Sequence, residues 1–222
     1  MRFDAYQGSG PPLRRPALDG GEAPVRFAAD VTHFGQASPR PRVQSIFAFM
    51  PAEPSFEPIT RADLKRLARV AAEDREDFFS RHREFAILYR KRLLCTALGG
   101  DAALHHLNGV TGVRYFSVWS FYAAHPEAPF PFQRSSSADF GASKFGRAAD
   151  APQGYQGRRV ELHGRSIAAA PGSNPLEALQ RYLKSGATRS ARELAHKAVV
   201  LIGPEPVLGT QAWPTLALPP VR

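Results

Sequence analysis

Two consecutive glycines followed by an acid stand where the chain could bind phosphate. Gly99, Gly100 and Asp101 follow an apolar run and precede a short predicted helix. Backbone N–H groups at a helix start, aided by the helix dipole, can hold phosphate oxygens. The alternative is a structural turn in which Asp101 caps the helix, because its negative charge would oppose an anion at the same place. The residues therefore predict either a phosphate cradle or a turn.

A second candidate for anion binding surrounds a long predicted loop at 123–157. It is basic, and aromatic residues are interleaved with the cations, which is typical of surfaces that bind single-stranded nucleic acid or a nucleotide. The alternative is that the aromatic rings anchor the loop to the core while the cations face water. The basic members are Lys144, Arg147, Arg158, Arg159 and Arg165, and the aromatic ones are Phe130, Phe132, Phe140, Phe145 and Tyr155.

The sequence gives little support for other kinds of reactive site. Cys95 is the only cysteine and lies inside an apolar run, which predicts a core thiol and excludes both an internal disulfide and a multi-cysteine zinc site. His105 and His106 are adjacent on a predicted helix and point in different directions, so they are poor metal co-ligands. The sequence contains no Walker loop, His-Glu-x-x-His or Gly-x-Ser-x-Gly motif.

The charge of the 222-residue chain is positive, with 29 Lys and Arg against 20 Asp and Glu and a formal net charge of +9. Residues 1–58 hold six Arg and six acidic residues, so the whole excess lies in residues 59–222. Arginine supplies 24 of the 29 cations, and its planar donor fork suits phosphate and carboxylate. A GC-rich genome would produce the same bias without a ligand, and both explanations stay open.

Composition also limits the class of protein. Apolar residues make up 43% of the chain, which is enough for a core, and no apolar run reaches the ~18 residues of a membrane span. The N-terminus lacks a charged start followed by an apolar stretch. We therefore expect a cytoplasmic protein with no membrane partner.

Residues 1–58 have the composition of a disordered tail. They hold nine Pro and five Gly and show no sustained helical or strand period. The stretch 43–49 is the best candidate for a short edge strand or a docking segment. Met50 leads directly into the first strong helix, so translation that starts there, with residues 1–49 as a mis-assigned extension, is an alternative. Residues 204–222 are rich in Pro and predict an extended C-terminal tail.

Residues 59–203 predict one domain of the α/β or α+β class, with a small mixed sheet flanked by helices. The first helix is the clearest, because Thr60 followed by Asp63 forms a capping pattern before an apolar stripe. In the second strand, Phe116 and Val118 alternate with Ser117 and Trp119, so the two pairs should lie on opposite faces of the sheet. The predicted strands are 92–98, 113–122 and 158–167, and the predicted helices cover 60–78, 83–90, 101–108, a stretch from Asn174, and 190–201.

The order of these elements over about residues 91–167 resembles the core of DNA-polymerase-beta-type nucleotidyltransferases. In that family a strand ends in an apolar-Gly-Gly or Gly-Ser turn, a short helix follows, and the next strand carries acids at i and i+2. Leu98-Gly99-Gly100 looks like the turn, and residues 113–118 take the place of the paired-acid strand. Arg159-Val160-Glu161-Leu162 looks like the later strand that supplies a third carboxylate.

The resemblance implies a nucleotidyl-transfer site in which carboxylates hold a pair of Mg²⁺ ions. In this chain the paired positions are Tyr115 and Ser117, and neither side chain neutralises Mg²⁺ as a carboxylate does. Glu161 would then remain as one acid, with Asp101 and Asp139 as candidate substitutes. Mg²⁺ is implied as a cofactor only if transfer chemistry survives.

Three functions agree with these residues. The first is a nucleotidyltransferase-like pseudoenzyme that binds nucleotide or nucleic-acid phosphate, or regulates, with little or no catalysis. The second is an active Mg²⁺-dependent nucleotidyltransferase that uses Glu161 with Asp101 or Asp139. The third is a structural partner protein without a small-molecule ligand. If the resemblance holds, Tyr115 and Ser117 should converge with Glu161 on one cleft beside the paired glycines.

Overall fold

A long amphipathic helix begins close to the start of the described part of the chain, which in the computed structural model comprises residues 53–126 and 132–214. α1 (Arg61–Arg81) starts where the sequence predicts, because Thr60 Oγ1 accepts a hydrogen bond from Asp63 N and the Asp63 carboxylate accepts one from Thr60 N at 2.8 Å. Both bonds satisfy N–H groups that a helix start leaves open. The face of α1 that packs on the sheet carries Leu64, Leu67, Ala71 and Phe79.

Six strands form one mixed sheet, which confirms the predicted fold class. They are β1 (Leu93–Gly99), β2 (Phe116–Ala123), β3 (Gln133–Asp139), β4 (Arg159–Ile167), β5 (Ala198–Gly203) and β6 (Gln211–Trp213). Their spatial order is β3-β4-β2-β1-β5-β6. β2 and β4 are parallel, whereas every other pair of neighbours is antiparallel.

Helices cover both faces of the sheet. The remaining ones are α2 (Arg83–Tyr89), α3 (Gly100–Asn108), α4 (Pro175–Ser185) and α5 (Arg189–Ala195). Phe116 and Val118 pack with α1 and α3 on one face, and Phe121 packs with α4 and α5 on the other, so the predicted alternation of β2 is confirmed. Among the described residues, no helix is long and apolar enough to cross a membrane.

Two predicted elements are wrong over part of their length. The helix predicted over 190–201 is α5 followed by β5, whose central residues are buried on both sides. A continuous apolar run carries no period that separates a buried strand from a buried helix. The loop predicted over 123–157 contains β3, which pairs with β4 along its whole length. Its serine-rich sequence shows no apolar alternation because it is an exposed edge strand.

Both ends of the predicted domain extend further than expected. Ser55 and Val113 exchange two backbone hydrogen bonds of 2.9 and 2.7 Å, so ordered contacts begin before residue 59. Residues 204–214, predicted as extended tail, contain β6, and Ala212 at its centre is buried. The candidate strand at 43–49 and the alternative start at Met50 lie outside the described residues.

Candidate functional site

One row of the sheet brings three of the predicted site residues side by side. Gly99 on β1 is the register partner of Ser117 on β2, and Ser117 is the register partner of Glu161 on β4. Since residues i and i+2 of a strand share a face, Trp119 and His163 form the next row on the same face. The chain therefore places polar side chains in adjacent rows at the centre of the sheet.

These rows line a cavity of about 340 Å³. Tyr115, Ser117 and Glu161 meet here beside Gly99 and Gly100, which is the convergence that the resemblance requires. The cavity also holds polar side chains from α3, α5 and the segments next to them. Its lining residues are Gly99, Gly100, Asp101, Arg114, Tyr115, Ser117, Trp119, Glu161, His163, Glu193, Leu194 and Lys197.

Glycine is favoured at positions 99 and 100 for two different structural reasons. A Cβ atom on Gly99 would lie 2.6 Å from Leu194 Cδ2, so glycine allows α5 to approach β1 closely. Gly100 has a φ of +71°, which favours glycine, and a Cβ there would meet no atom within 4 Å. Gly99 is the N-cap of α3 and supplies no side-chain hydrogen bond. The predicted cap by Asp101 is absent, because the N-cap is Gly99, two residues earlier, and Asp101 lies in the first turn of α3.

Each acid of the cavity is paired with a cation of this chain. Lys197 Nζ lies 2.7 Å from Asp101 Oδ1, and Arg159 Nη2 lies 2.7 Å from Glu161 Oε1. Glu193 pairs with Arg189 one turn away on α5. The Arg159 guanidinium also lies 5.5 Å from the Tyr115 ring centroid, within cation–π range.

Arg114 differs from the other cations at the cavity. It is exposed, and no carboxylate of the described residues lies within ion-pair distance of it. The cavity and its immediate ion pairs thus bring together three acids and the four cations Arg114, Arg159, Arg189 and Lys197. The local balance is one positive charge in excess.

Trp119 and His163 give the cavity an aromatic wall that the sequence reasoning missed. Trp119 Nε1 donates a hydrogen bond to Ser117 Oγ at 3.0 Å, and the Trp119 and His163 rings stack with centroids 4.3 Å apart. Burial lowers the pKa of His163, and the nearby Arg134 acts in the same direction, whereas Glu161 opposes them. The neutral imidazole is therefore favoured. The spacing Glu161-x-His163 on one predicted strand was the available signal for this residue.

The residues of the cavity do not fit a pair of Mg²⁺ ions. Glu161 and Asp101 both line it, but each is engaged by a cation, and Ser117 accepts from an indole N–H. Within residues 53–126 and 132–214, no group of three or more His, Cys, Asp and Glu side chains could hold a metal ion. We derive no metal-dependent step for this site.

Asp139 lies outside the cavity and anchors a loop. Its Oδ1 accepts hydrogen bonds from the N–H groups of Gly141 and Gly157 at 2.8 and 2.9 Å, and its Oδ2 accepts one from Gln156 at 2.7 Å. Burial acts to raise the pKa of Asp139, but the three backbone donors outweigh it and hold the pKa below its ordinary value. The carboxylate thus joins the two ends of the connection between β3 and β4.

Three of the predicted phosphate-binding cations are engaged elsewhere. Arg158 is buried and donates to the carbonyl oxygens of Phe145 at 2.9 Å and Glu53 at 2.7 Å. Lys144 forms an ion pair with Asp63 at 2.9 Å. Arg147 donates to the carbonyl oxygen of Ala151 at 3.0 Å within its own loop. None of the three lines the cavity over Ser117.

Arg165 belongs to a neighbouring cavity on the same face of the sheet. It donates to Ser190 Oγ at 3.1 Å and to Gln133 Oε1 at 3.3 Å. This second space, of about 340 Å³, shares Trp119 and His163 with the first. Of the cations predicted for the loop and its following strand, Arg159 and Arg165 therefore lie close to the candidate site.

The aromatic residues of the predicted loop anchor it to the core. Phe132, Phe140 and Phe145 are buried, and the last two pack against Phe116 of β2. Tyr155 Oη lies 3.3 Å from Ser137 Oγ on β3. Phe130 lies outside the described residues. The three buried rings cannot act as an open stacking platform for bases.

Cys95 is the core residue that the sequence predicts. It is buried, and burial raises the pKa of its thiol to about 12, so it carries no nucleophilic thiolate near neutral pH.

The two adjacent histidines are engaged by the segment that precedes α1. His105 Nε2 lies 3.1 Å from the carbonyl oxygen of Glu57, and His106 Nδ1 lies 3.0 Å from that of Ile59.

Comparison with known proteins adds no family to this description. No family model, no curated protein and no solved structure matches the chain significantly. The resemblance to nucleotidyltransferases therefore stays a prediction.

Proposed function

We propose that this protein is a nucleotidyltransferase-like binding module that holds the phosphate groups of a nucleotide in the cavity over Ser117, without nucleotidyl transfer. The observation that carries the proposal is the position of the α3 start. Gly99 and Gly100 line the same cavity as Arg114 and Lys197, and no side chain caps the helix. The uncapped start of α3, where the helix dipole favours an anion, and two cations thus share one space of about 340 Å³.

The charges around this space support an anion. The three acids are already paired with Lys197, Arg159 and Arg189, so their repulsion of a phosphate is reduced. The exposed Arg114 has no such partner and adds a planar donor fork that matches phosphate oxygens. Tyr115 and Ser117, at the positions of the expected paired acids, are neutral and can donate hydrogen bonds.

Calorimetric titration of the full chain with ATP, GTP, CTP and UTP tests the proposal. We expect saturable binding of at least one nucleotide in the presence of EDTA, because the phosphates meet cations rather than metal ligands. Arg114→Gln should weaken that binding roughly tenfold, the loss of one charge-assisted pair. Arg83→Gln removes the same charge from an exposed position on α2, outside the cavity, and should leave the affinity unchanged.

One observation favours the active transferase as a second candidate. Asp101 and Glu161 line the same cavity, so both acids could face a substrate if their cations moved away. Binding that strictly requires Mg²⁺ and is lost in Glu161→Gln would support that candidate and contradict the binding module. Absence of binding for every nucleotide would contradict both and leave the structural partner protein.

A further inference from the structure

Another cavity, separate from the two described above, lies at the far end of the sheet, beside α1. It has a volume of about 430 Å³ and is bounded by the start of β1, the end of β5 and the turn after β5. It shares no lining residue with the cavity over Ser117. Most of its wall is apolar, and the principal contributors are Ala68, Leu93, Leu94, Ile202 and Leu208.

Arg75 brings a positive charge to this apolar space. Its Nη1 donates to Thr96 Oγ1 and Ser120 Oγ, both at 3.3 Å, and both acceptors are neutral hydroxyls. The two acidic neighbours of Arg75 on α1 are committed elsewhere, since Asp74 pairs with Arg134 and Glu76 pairs with Arg90. Among the described residues, no carboxylate lies within ion-pair distance of Arg75.

Arg75 is a half-buried cation without a counter-ion among the described residues. Burial lowers the pKa of Arg75, but a guanidinium remains charged at physiological pH. Removing such a charge from water is unfavourable unless a partner compensates it. The hydroxyls of Thr96 and Ser120 compensate one nitrogen, and no described residue accepts a hydrogen bond from Nε or Nη2.

The shape and charge of the cavity limit the kind of group that could compensate the charge of Arg75. A planar carboxylate accepts two parallel hydrogen bonds from one guanidinium fork and carries one negative charge, which balances the single charge of Arg75, whereas a phosphate dianion carries two. Lys65, at the cavity wall, is exposed and already paired with Glu205 at 2.7 Å. The volume lies within the range of small-molecule pockets, and the apolar wall suits a hydrocarbon chain.

We propose that the cavity beside α1 binds a small organic carboxylate with an apolar chain. The carboxylate accepts hydrogen bonds from Arg75, and the chain lies against Leu94, Ile202 and Leu208. This site is independent of the nucleotide cavity, so either proposal can fail without the other.

Calorimetric titration of the full chain with octanoate tests the site, with 1-octanol and octylamine as probes of equal chain length and different charge. We expect saturable octanoate binding and at least tenfold weaker binding of both other probes. Octyl phosphate separates the two anionic headgroups. If octyl phosphate binds more tightly than octanoate, the assignment of a carboxylate is wrong.

Two variants locate the binding. Arg75→Gln should weaken octanoate binding at least tenfold, while Arg69→Gln, an exposed change on the same helix, should not alter it. Ala68→Leu fills part of the cavity but keeps Arg75, so it should also weaken octanoate binding at least tenfold, and it provides a test if Arg75→Gln does not fold. Octanoate affinity that is unchanged in Ala68→Leu, or the absence of saturable octanoate binding to the natural chain, would overturn the proposal.

Discussion

Ser117 and Glu161 are direct partners in the parallel ladder between β2 and β4, yet their side chains are bound to different groups. Ser117 Oγ accepts a hydrogen bond from Trp119 Nε1, and Glu161 pairs with Arg159. Neighbouring strands lie about 4.8 Å apart, so a carboxylate at position 117 would stand directly beside Glu161. This geometry allows an acid to be introduced at position 117 and its consequences to be measured.

Ser117→Asp should create a pair of like charges that a divalent cation relieves. In EDTA we expect a loss of about 1 kcal/mol in the free energy of unfolding, because carboxylates that face each other repel. Mn²⁺ should recover that loss. Ser117→Ala removes the hydroxyl that accepts from Trp119 Nε1 and adds no charge, so it should show no response to Mn²⁺ in urea unfolding. Equal responses of the two variants would contradict the geometry of the row.

Gly99→Ala should destabilise the protein through a single contact. The added methyl group would lie 2.6 Å from Leu194 Cδ2, and overpacking of this kind costs about 1–3 kcal/mol. Leu194→Ala removes the opposing methyl groups, so the double variant should be more stable than the sum of the two single changes predicts. Denaturant unfolding of all three variants measures the coupling, and strict additivity would show that Leu194 is not the obstacle.

Asp139→Asn should destabilise the protein near neutral pH and have less effect in acid. The amide keeps one acceptor oxygen where the carboxylate uses two, so we expect a loss of ~1–2 kcal/mol at pH 7. Since the pKa of Asp139 is lowered in the folded state, its stabilisation is complete above the unfolded-state pKa and disappears as the pH falls through the folded-state pKa.

Urea unfolding of the natural chain and Asp139→Asn between pH 7 and pH 3 measures this difference. The two stability curves should converge as the pH falls. A difference that stays constant over the whole range would show that ionisation of Asp139 does not contribute. Nucleotide affinity of the folded variant should be unchanged, because Asp139 does not line the cavity over Ser117.

Arg158→Lys should destabilise the protein by about 2–4 kcal/mol although it keeps the positive charge, because an ammonium group cannot replace a fixed donor fork. Arg158 joins the segment before α1 to the loop after β3 through the carbonyl oxygens of Glu53 and Phe145. Arg147→Lys, at an exposed loop position, should change the unfolding free energy by less than about 0.5 kcal/mol. A nucleotide affinity that falls only in Arg158→Lys would instead indicate a role in binding.

The sequence alone predicted the features that depend on neighbouring residues. The Thr60–Asp63 cap of α1 and the alternation of Phe116 and Val118 with Trp119 are local patterns of three or four residues, and the structure confirms them. The mixed sheet between helices followed from the order of such elements. The secondary-structure prediction failed where a segment shows no alternation of apolar and polar residues, as in the polar edge strand β3 and the uniformly apolar β5.

Only the tertiary structure decided which polar residues meet. Lys197 is 96 positions from Asp101 and pairs with it because β5 brings the end of α5 beside the start of α3. Trp119 and His163 stack because the register of β2 and β4 places them in one row. Arg75 has no carboxylate partner among the described residues because its acidic neighbours on α1 pair with other arginines. Register and long-range charge pairing depend on how whole elements pack, and local sequence does not encode that packing.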